Sequence, residues 1–316
     1  MKQTIKKITI NTTEQYIIVS GIPEENKPVL LFLHGGPGVP ELFTMKKEMQ
    51  YLEEKFVVIY WEQRGAGKSY RVKDLTLEQI LLDTEALTQW LLKEYNQDKL
   101  YLMGHSWGTL LGMLAIEKSP QLYYAYMGIG QVTNQYEAEQ NSLEWIKKEA
   151  IKREDKKAIH KFSTLNMPSK NASIKEWSDF LNLHRSYLWK YGGSFYNPKG
   201  VLPRLIKNFL FAREYSIIEK IMFLPSAIYS LKQLWADVVG INLFEEIKKV
   251  KVPVYIFQGL HDYQVSYALA KEFIDRLDAP TKRFFVFKNS AHSPHIEEND
   301  KFNECIDRVL DDRRNK

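Results

Sequence analysis

The pentapeptide Gly104-His105-Ser106-Trp107-Gly108 constrains this chain more than any other stretch. Leu100 to Met103, mostly apolar, read as a buried strand before it, and Leu110, Leu111, Met113, Leu114 and Ile116 read as an apolar helix after it. A serine at a sharp strand-to-helix turn sits on strained, crowded backbone and needs small neighbours two residues to either side. Gly104 and Gly108 supply them. Such a turn lifts the Ser106 hydroxyl clear of the sheet and leaves the Trp107 N–H at a helix N-terminus, aimed at a developing oxyanion. Glycine-flanked serines also occur in plain loops; the strand before and the helix after are what mark a nucleophile.

The flanking sequence repeats the strand–helix grammar. Ile5–Ile10 and Gln15–Ser20 alternate and read as an opening strand pair around Asn11-Thr12-Thr13. Val29–Leu33 and Phe56–Trp61 are continuous apolar runs, as expected of strands buried on both faces. Between them Glu41–Glu54 has helical spacing, and Thr76–Tyr95 reads as a long amphipathic helix with Thr76 as its N-cap. Tyr124–Ile129, Val252–Gln258 and Arg283–Phe287 are the remaining strands, with helices at about Val265–Leu277 and Pro294–Leu310. The alternation implies an α/β fold, with a mostly parallel central sheet flanked by helices. From Thr133 to Val239 no strand is evident; the segment reads as several helices with a break at Tyr191-Gly192-Gly193. The expected organisation is a core of residues 1–132 and 240–316 with a helical cap, 133–239, inserted over the carboxyl ends of the strands.

A serine needs a base, and the base needs an orienting group. With a strand-borne nucleophile these follow in the order Ser, acid, His, each just past a strand. Asp262 follows the strand ending at Gln258, and His292 follows the strand ending at Phe287. Asp262 would hold the imidazole tautomer, and His292 would take the Ser106 proton and return it to the leaving group. His295 could compete with His292, but it follows Pro294 and belongs in a first helical turn. His34-Gly35-Gly36-Pro37-Gly38, after the Val29–Leu33 strand, offers the second oxyanion donor: Gly36 N–H is preferred to Gly35, with Trp107 N–H as the other. His34 reads as fixing that turn by hydrogen bonding.

Composition excludes other chemistries. The 316 residues are 44% hydrophobic and 13% aromatic, enough for a sizeable core and against disorder. The net charge of +5 comes from lysines scattered among acids, so no nucleic-acid partner is expected. One cysteine, Cys305, excludes an internal disulfide and fits a reducing compartment. Lysines in Met1–Ile10 are not followed by an apolar stretch, and no apolar run is long enough to span a bilayer. The expectation is a cytoplasmic protein without a membrane partner. Gly65-Ala66-Gly67-Lys68-Ser69 looks like a phosphate loop, but Glu62 stands where that motif needs glycine and the next helix starts too late. No metal-ligand spacing is present, and neither metal nor cofactor is expected.

The motifs His34-Gly35-Gly36-Pro37-Gly38, Trp61-Glu62-Gln63-Arg64-Gly65-Ala66-Gly67-Lys68-Ser69 and Gly104-His105-Ser106-Trp107-Gly108, with the Asp262 and His292 loops, resemble the prolyl aminopeptidase (proline iminopeptidase) branch of the α/β-hydrolases. The resemblance covers about two thirds of the chain. It implies a cofactor-free serine hydrolase that removes an N-terminal residue, often proline, from short peptides. Two departures stand out: Glu62 where the family usually has aspartate, and His105 where it has glycine before the serine. The family binds the substrate amine with cap glutamates. Here only Phe211-Ala212-Arg213-Glu214-Tyr215 is similar, making Glu214, with His105, the candidate substrate-binding residue. The alternatives are an esterase, lipase or lactonase using the same triad on small-molecule esters, and a non-catalytic ligand-binding protein on this fold.

Overall fold

The computed structural model describes residues 3–21 and 27–314. The outermost residues of the expected core, 1–2 and 315–316, lie outside the described residues. Eight strands form one sheet: β1 (Gln3–Ile10), β2 (Thr13–Ser20), β3 (Val29–Leu33), β4 (Val57–Glu62), β5 (Leu100–His105), β6 (Tyr123–Ile129), β7 (Val254–Gly259) and β8 (Lys282–Phe287). Their order is β1-β2-β4-β3-β5-β6-β7-β8. β1 pairs antiparallel with β2 and β2 with β4; every later pair is parallel.

The continuous apolar strands are explained by the two layers they feed. Leu31, Leu33, Ile59, Trp61 and Leu102 face one apolar layer, and their neighbours Leu30, Phe32, Val58, Tyr60, Tyr101 and Met103 face the other. The first layer is covered by α3 (Leu77–Glu94) and α4 (Trp107–Lys118). The second is covered by α1 (Leu42–Met45), α2 (Gln50–Lys55) and, at the far end of the chain, Phe302, Ile306 and Val309. Thr76 caps α3, its hydroxyl accepting the Gln79 N–H at 3.2 Å.

Chain direction sets where a ligand can enter. From β3 the chain steps to β4 on one side, then crosses back over β3 to β5 on the other. The loops leaving the carboxyl ends of β3 and β5 therefore diverge and open a crevice, the usual ligand position of such sheets. The first of these loops is His34–Gly38, and the second holds Ser106.

Between β6 and β7 the chain runs through α5 (Gln135–Lys152), α6 (Lys156–Ser163), α7 (Ile174–Tyr191), α8 (Val201–Leu210), α9 (Ile217–Gly240) and the short α10 (Leu243–Glu246). No strand interrupts these described residues, and Gly192, at φ +95°, ends α7 where the glycine pair is read as a break. After β7 come α11 (Tyr267–Arg276) and, beyond β8, α12 (Pro294–Glu297) and α13 (Asn299–Arg314). No helix among the described residues is long and apolar enough to cross a membrane.

Two helices expected as single pieces are broken. Glu41–Glu54 becomes α1 and α2, with the Gln50 N–H directed to the Lys47 carbonyl at 3.4 Å instead of one turn back. Pro294–Leu310 becomes α12 and α13. Here Glu298 leaves the helix to accept the Asn289 N–H at 2.9 Å and the Ser290 hydroxyl at 2.7 Å.

The close approach of α4 to the sheet explains the paired glycines. A Cβ on Gly108 would stand 2.1 Å from the Leu33 carbonyl oxygen, and one on Gly104 would stand 2.3 Å from the Gly108 oxygen. Backbone touches backbone at both points, so nothing can yield without moving α4. Gly108→Ala is expected to destabilise by about 3 kcal/mol, the upper part of the range for overpacking. A denaturant midpoint unchanged from wild type would contradict this packing.

Candidate active site

Ser106 is the last residue before α4 and has φ +53° and ψ −121°, a conformation costly for a residue with a side chain. Backbone bonds hold it there. Its N–H donates to the Ile129 carbonyl at 3.0 Å, and its own carbonyl accepts the Thr109 N–H at 2.8 Å and the Thr109 hydroxyl at 2.6 Å. With Gly36 and Trp107 it lines a cavity of about 290 Å³.

The expected base and acid meet. His292 Nδ1 lies 2.9 Å from Asp262 Oδ2, and both side chains are buried. Asp262 is itself fixed: Gln258 Nε2 donates to Oδ2 at 2.7 Å, while the Gln264 and Val265 N–H groups donate to Oδ1 at 2.9 and 3.1 Å. A carboxylate so held accepts the Nδ1–H, which selects the tautomer in which the far nitrogen is the one able to accept a proton. That nitrogen, His292 Nε2, is buried and has no hydrogen-bond partner among the described residues, so the Asp262–His292 contact of the expected triad is formed and a Ser106–His292 hydrogen bond is not. The end of β6 joins the two loops: Ile129 holds the Ser106 N–H, and a Cβ on the next residue, Gly130, would come within 2.8 Å of the His292 ring.

The glycine turn after β3 is set by His34. Its Nδ1 donates to the Gly35 carbonyl at 2.8 Å and its Nε2 accepts the Gln63 N–H at 3.2 Å. Burial pushes its pKa down to about 4, so the ring is neutral, as this donor–acceptor pattern requires. Gln63 also accepts the Trp107 indole N–H at 3.0 Å, tying this turn to the start of α4. The Gly35 N–H is already taken, donating to Glu41 Oε2 at 3.3 Å. Gly36, at φ +114°, is next in line on the cavity wall.

Two substrate-binding expectations do not fit. His105 has both ring nitrogens engaged inside the protein, Nδ1 with Glu41 Oε1 at 2.6 Å and Nε2 with the His292 carbonyl at 3.1 Å, so neither is free for a ligand. Glu214 is paired with the Lys46 ammonium and lines a different cavity, with Phe43 and Phe211. The sequence could not show that Lys46, on the far side of the chain, neutralises it. His295 falls in α12, buried behind the site, as its place after proline implies. In the phosphate-like loop the Glu62 carboxylate accepts the Lys68 N–H, and Lys68 Nζ reaches Glu219 at 2.7 Å. A protein carboxylate thus occupies the donor a phosphate would need.

A family model described as alpha/beta hydrolase fold matches residues 28–299. The chain belongs to the alpha/beta hydrolase fold family. Among relatives, "Probable aminopeptidase YbaC" of Bacillus subtilis is 33% identical over 310 residues, covering 96% of this chain and 95% of that protein. A "Proline iminopeptidase" of Heyndrickxia coagulans is 24% identical over 277 residues, 87% of each chain. Among solved structures, the proline iminopeptidase-related protein TTHA1809 from Thermus thermophilus superposes with a TM-score of 0.67 at 20% identity, covering 98% of both chains. At that identity the likeness speaks for the fold.

Within this α/β-hydrolase the helices between β6 and β7 supply cavity walls that the sequence did not single out. Gln135 of α5, Leu181, Asn182 and Arg185 of α7 and Trp235 of α9 line it, with Gln264 from the Asp262 loop. Gln135 and Arg185 both hold Glu139, a fully buried carboxylate on α5: Gln135 Nε2 donates to it at 2.6 Å and the Arg185 guanidinium grips it through two nitrogens. Helical spacing alone marks Gln135 and Glu139 as neighbours on α5, but nothing local pairs them with Arg185.

Proposed function

We propose that this chain is a serine hydrolase acting through Ser106, His292 and Asp262 under a helical cap formed by residues 133–239. The observation that carries the reading is the unpartnered, buried Nε2 of an imidazole whose other nitrogen is held by a carboxylate. The Ser106 oxygen attacks the substrate carbonyl while His292 Nε2 takes its proton. The Gly36 and Trp107 N–H groups stabilise the resulting oxyanion, a contribution of about 3–4 kcal/mol per donor in comparable sites. The carbon–nitrogen bond then breaks as His292 returns the proton to the leaving amine. Water, deprotonated by the same nitrogen, attacks the acyl-enzyme, and Ser106 leaves with the proton.

The substrate class we propose is short peptides with a free N-terminus, cleaved after the first residue in the manner of an aminopeptidase of proline iminopeptidase type. Support comes from the relatives named aminopeptidase and proline iminopeptidase along nearly the whole chain. A second reading, hydrolysis of small esters, is favoured by one observation: none of the described residues lining the cavity is acidic, and Glu139 behind it is already paired with Arg185. A substrate ammonium needs a carboxylate if it is to be desolvated.

The two readings separate on a free-amine requirement. Prolyl and alanyl p-nitroanilides are expected to turn over, and their N-acetylated forms to lose more than about 100-fold in kcat/KM, as when a recognised hydrogen-bonding group is missing. Turnover of p-nitrophenyl acetate and butyrate with neither anilide form accepted would decide for the ester reading. No turnover of any of these, with Ser106 inert to a fluorophosphonate, would point to a non-catalytic binding protein.

A further inference from the structure

His105 and Glu41 form a chain of bonds that neither the triad nor the oxyanion donors use. Glu41, just before α1, spends one carboxylate oxygen on the Gly35 N–H at 3.3 Å and the other on His105 Nδ1 at 2.6 Å. His105, the residue before the nucleophile, spends its Nε2 on the main-chain carbonyl of His292 at 3.1 Å. Three separate loops are thereby joined: the glycine turn after β3, the nucleophile turn after β5 and the base loop after β8. Space is tight around this chain of bonds. A Cβ on Gly35 would stand 3.1 Å from Glu41 Oε1 and 3.2 Å from the Ser106 Cβ.

The partners fix the protonation state. A carboxylate and a carbonyl only accept hydrogen bonds, so both His105 nitrogens must donate and the ring must be an imidazolium. Burial disfavours charge on both groups, yet their mutual attraction and hydrogen bond outweigh it, raising the His105 pKa and lowering that of Glu41. The other ionisable groups facing His105 are His292 and His295, each with ring centroids 4.9 Å away, and Asp262, whose charge favours the cation. His34 faces the same carboxylate from the turn after β3. His295 is held neutral by burial and by these neighbours.

We propose that Glu41 and His105 are positioning residues, a buried imidazolium–carboxylate strut that sets the oxyanion loop and the base loop at fixed distances from Ser106. By claiming the Gly35 N–H, Glu41 leaves the following N–H, that of Gly36, for the oxyanion. By claiming the His292 carbonyl, His105 holds the base loop while the Asp262 contact holds the ring. Neither residue lines the Ser106 cavity, so loss of the strut should displace donors and base without changing what the cavity binds.

The inference rests on the serine-hydrolase reading, and the test separates the two. Steady-state kinetics are measured on the best substrate of the anilide and ester panel, with Ser106→Ala as the control. Glu41→Ala is expected to lower kcat about 10- to 100-fold, as displacements near 1 Å do, with KM within about threefold. Glu41→Gln should keep kcat within about fivefold of wild type. Its amide can still accept the Gly35 N–H and can donate to Nδ1 of a neutral His105, whose Nε2–H still reaches the His292 carbonyl.

The pH profile gives a readout that mere structural support would not move. A raised pKa means the wild-type strut is complete below the folded pKa of His105 and is lost as pH rises through it. An alkaline fall in kcat is therefore expected in wild type and absent in Glu41→Gln. The inference is overturned if Glu41→Ala keeps wild-type kcat, or if Glu41→Gln shows the same alkaline limb as wild type. Should Glu41→Ala fail to fold, the Glu41→Gln profile decides alone. Wild-type rates in Ser106→Ala would instead overturn the serine-hydrolase reading itself.

Discussion

Ser106→Ala is expected to abolish turnover, lowering kcat by about four to six orders of magnitude while leaving the fold intact. Among the described residues that line the cavity no other carries a hydroxyl, and the strained turn between β5 and α4 is what lifts this oxygen toward it. Any residue other than glycine at φ +53° keeps the same backbone strain, so alanine should be as stable as serine there. Ser106→Gly should lose activity equally and gain about 1 kcal/mol of stability, since glycine accepts positive φ without penalty. The paired substitutions separate chemistry from strain. Activity in either variant, or a glycine variant less stable than alanine, would contradict the geometry.

The second large effect belongs to the base and its partner. His292→Ala is expected to cost about as much as loss of the serine, since without Nε2 nothing receives the hydroxyl proton. Asp262→Asn should cost about 10⁴-fold in kcat, because an amide no longer enforces the Nδ1–H tautomer. The asparagine carries a second penalty. Asp262 accepts from Gln258 Nε2 and from the Gln264 and Val265 N–H groups as well as from His292. An amide NH₂ would face at least one of those donors, costing about 1–3 kcal/mol in stability. A kinetic assay and a thermal melt on each variant check both parts; Asp262→Asn with wild-type kcat would remove the carboxylate from the account.

How much of this was legible depends on whether the information was local. β3 falls on Val29–Leu33, as read, because five apolar residues bounded by a glycine turn leave little choice of register. The Ser106 turn is local too: strand, glycine, serine, glycine and helix lie within about one strand and one helix of each other. Asp262 and His292 follow from chain order and strand ends, and the Asp262–His292 hydrogen bond follows from the sheet bringing β7 and β8 side by side.

What the sequence hid was pairing between distant charges. Glu41 reads as the start of one amphipathic helix, and only the folded chain brings it beside His105, 64 positions later. Glu214 reads as an available acid until Lys46 appears next to it. Arg185 and Glu139 lie on different helices and meet only where α7 packs against α5. The split at Glu298 has the same origin: its carboxylate prefers the donors of Asn289 and Ser290, in the loop just after β8, to a place in a continuous helix. Helical periodicity records which face is apolar, and carries no record of which long-range partner a charge will find.

The most direct measurement is mass-spectrometric mapping after treatment with a fluorophosphonate. One adduct per chain on the peptide carrying Ser106, formed in step with loss of turnover and absent in His292→Ala, is the expected result. Full turnover by a chain whose Ser106 peptide stays unmodified, or an adduct on another residue that accounts for the inactivation, would contradict it.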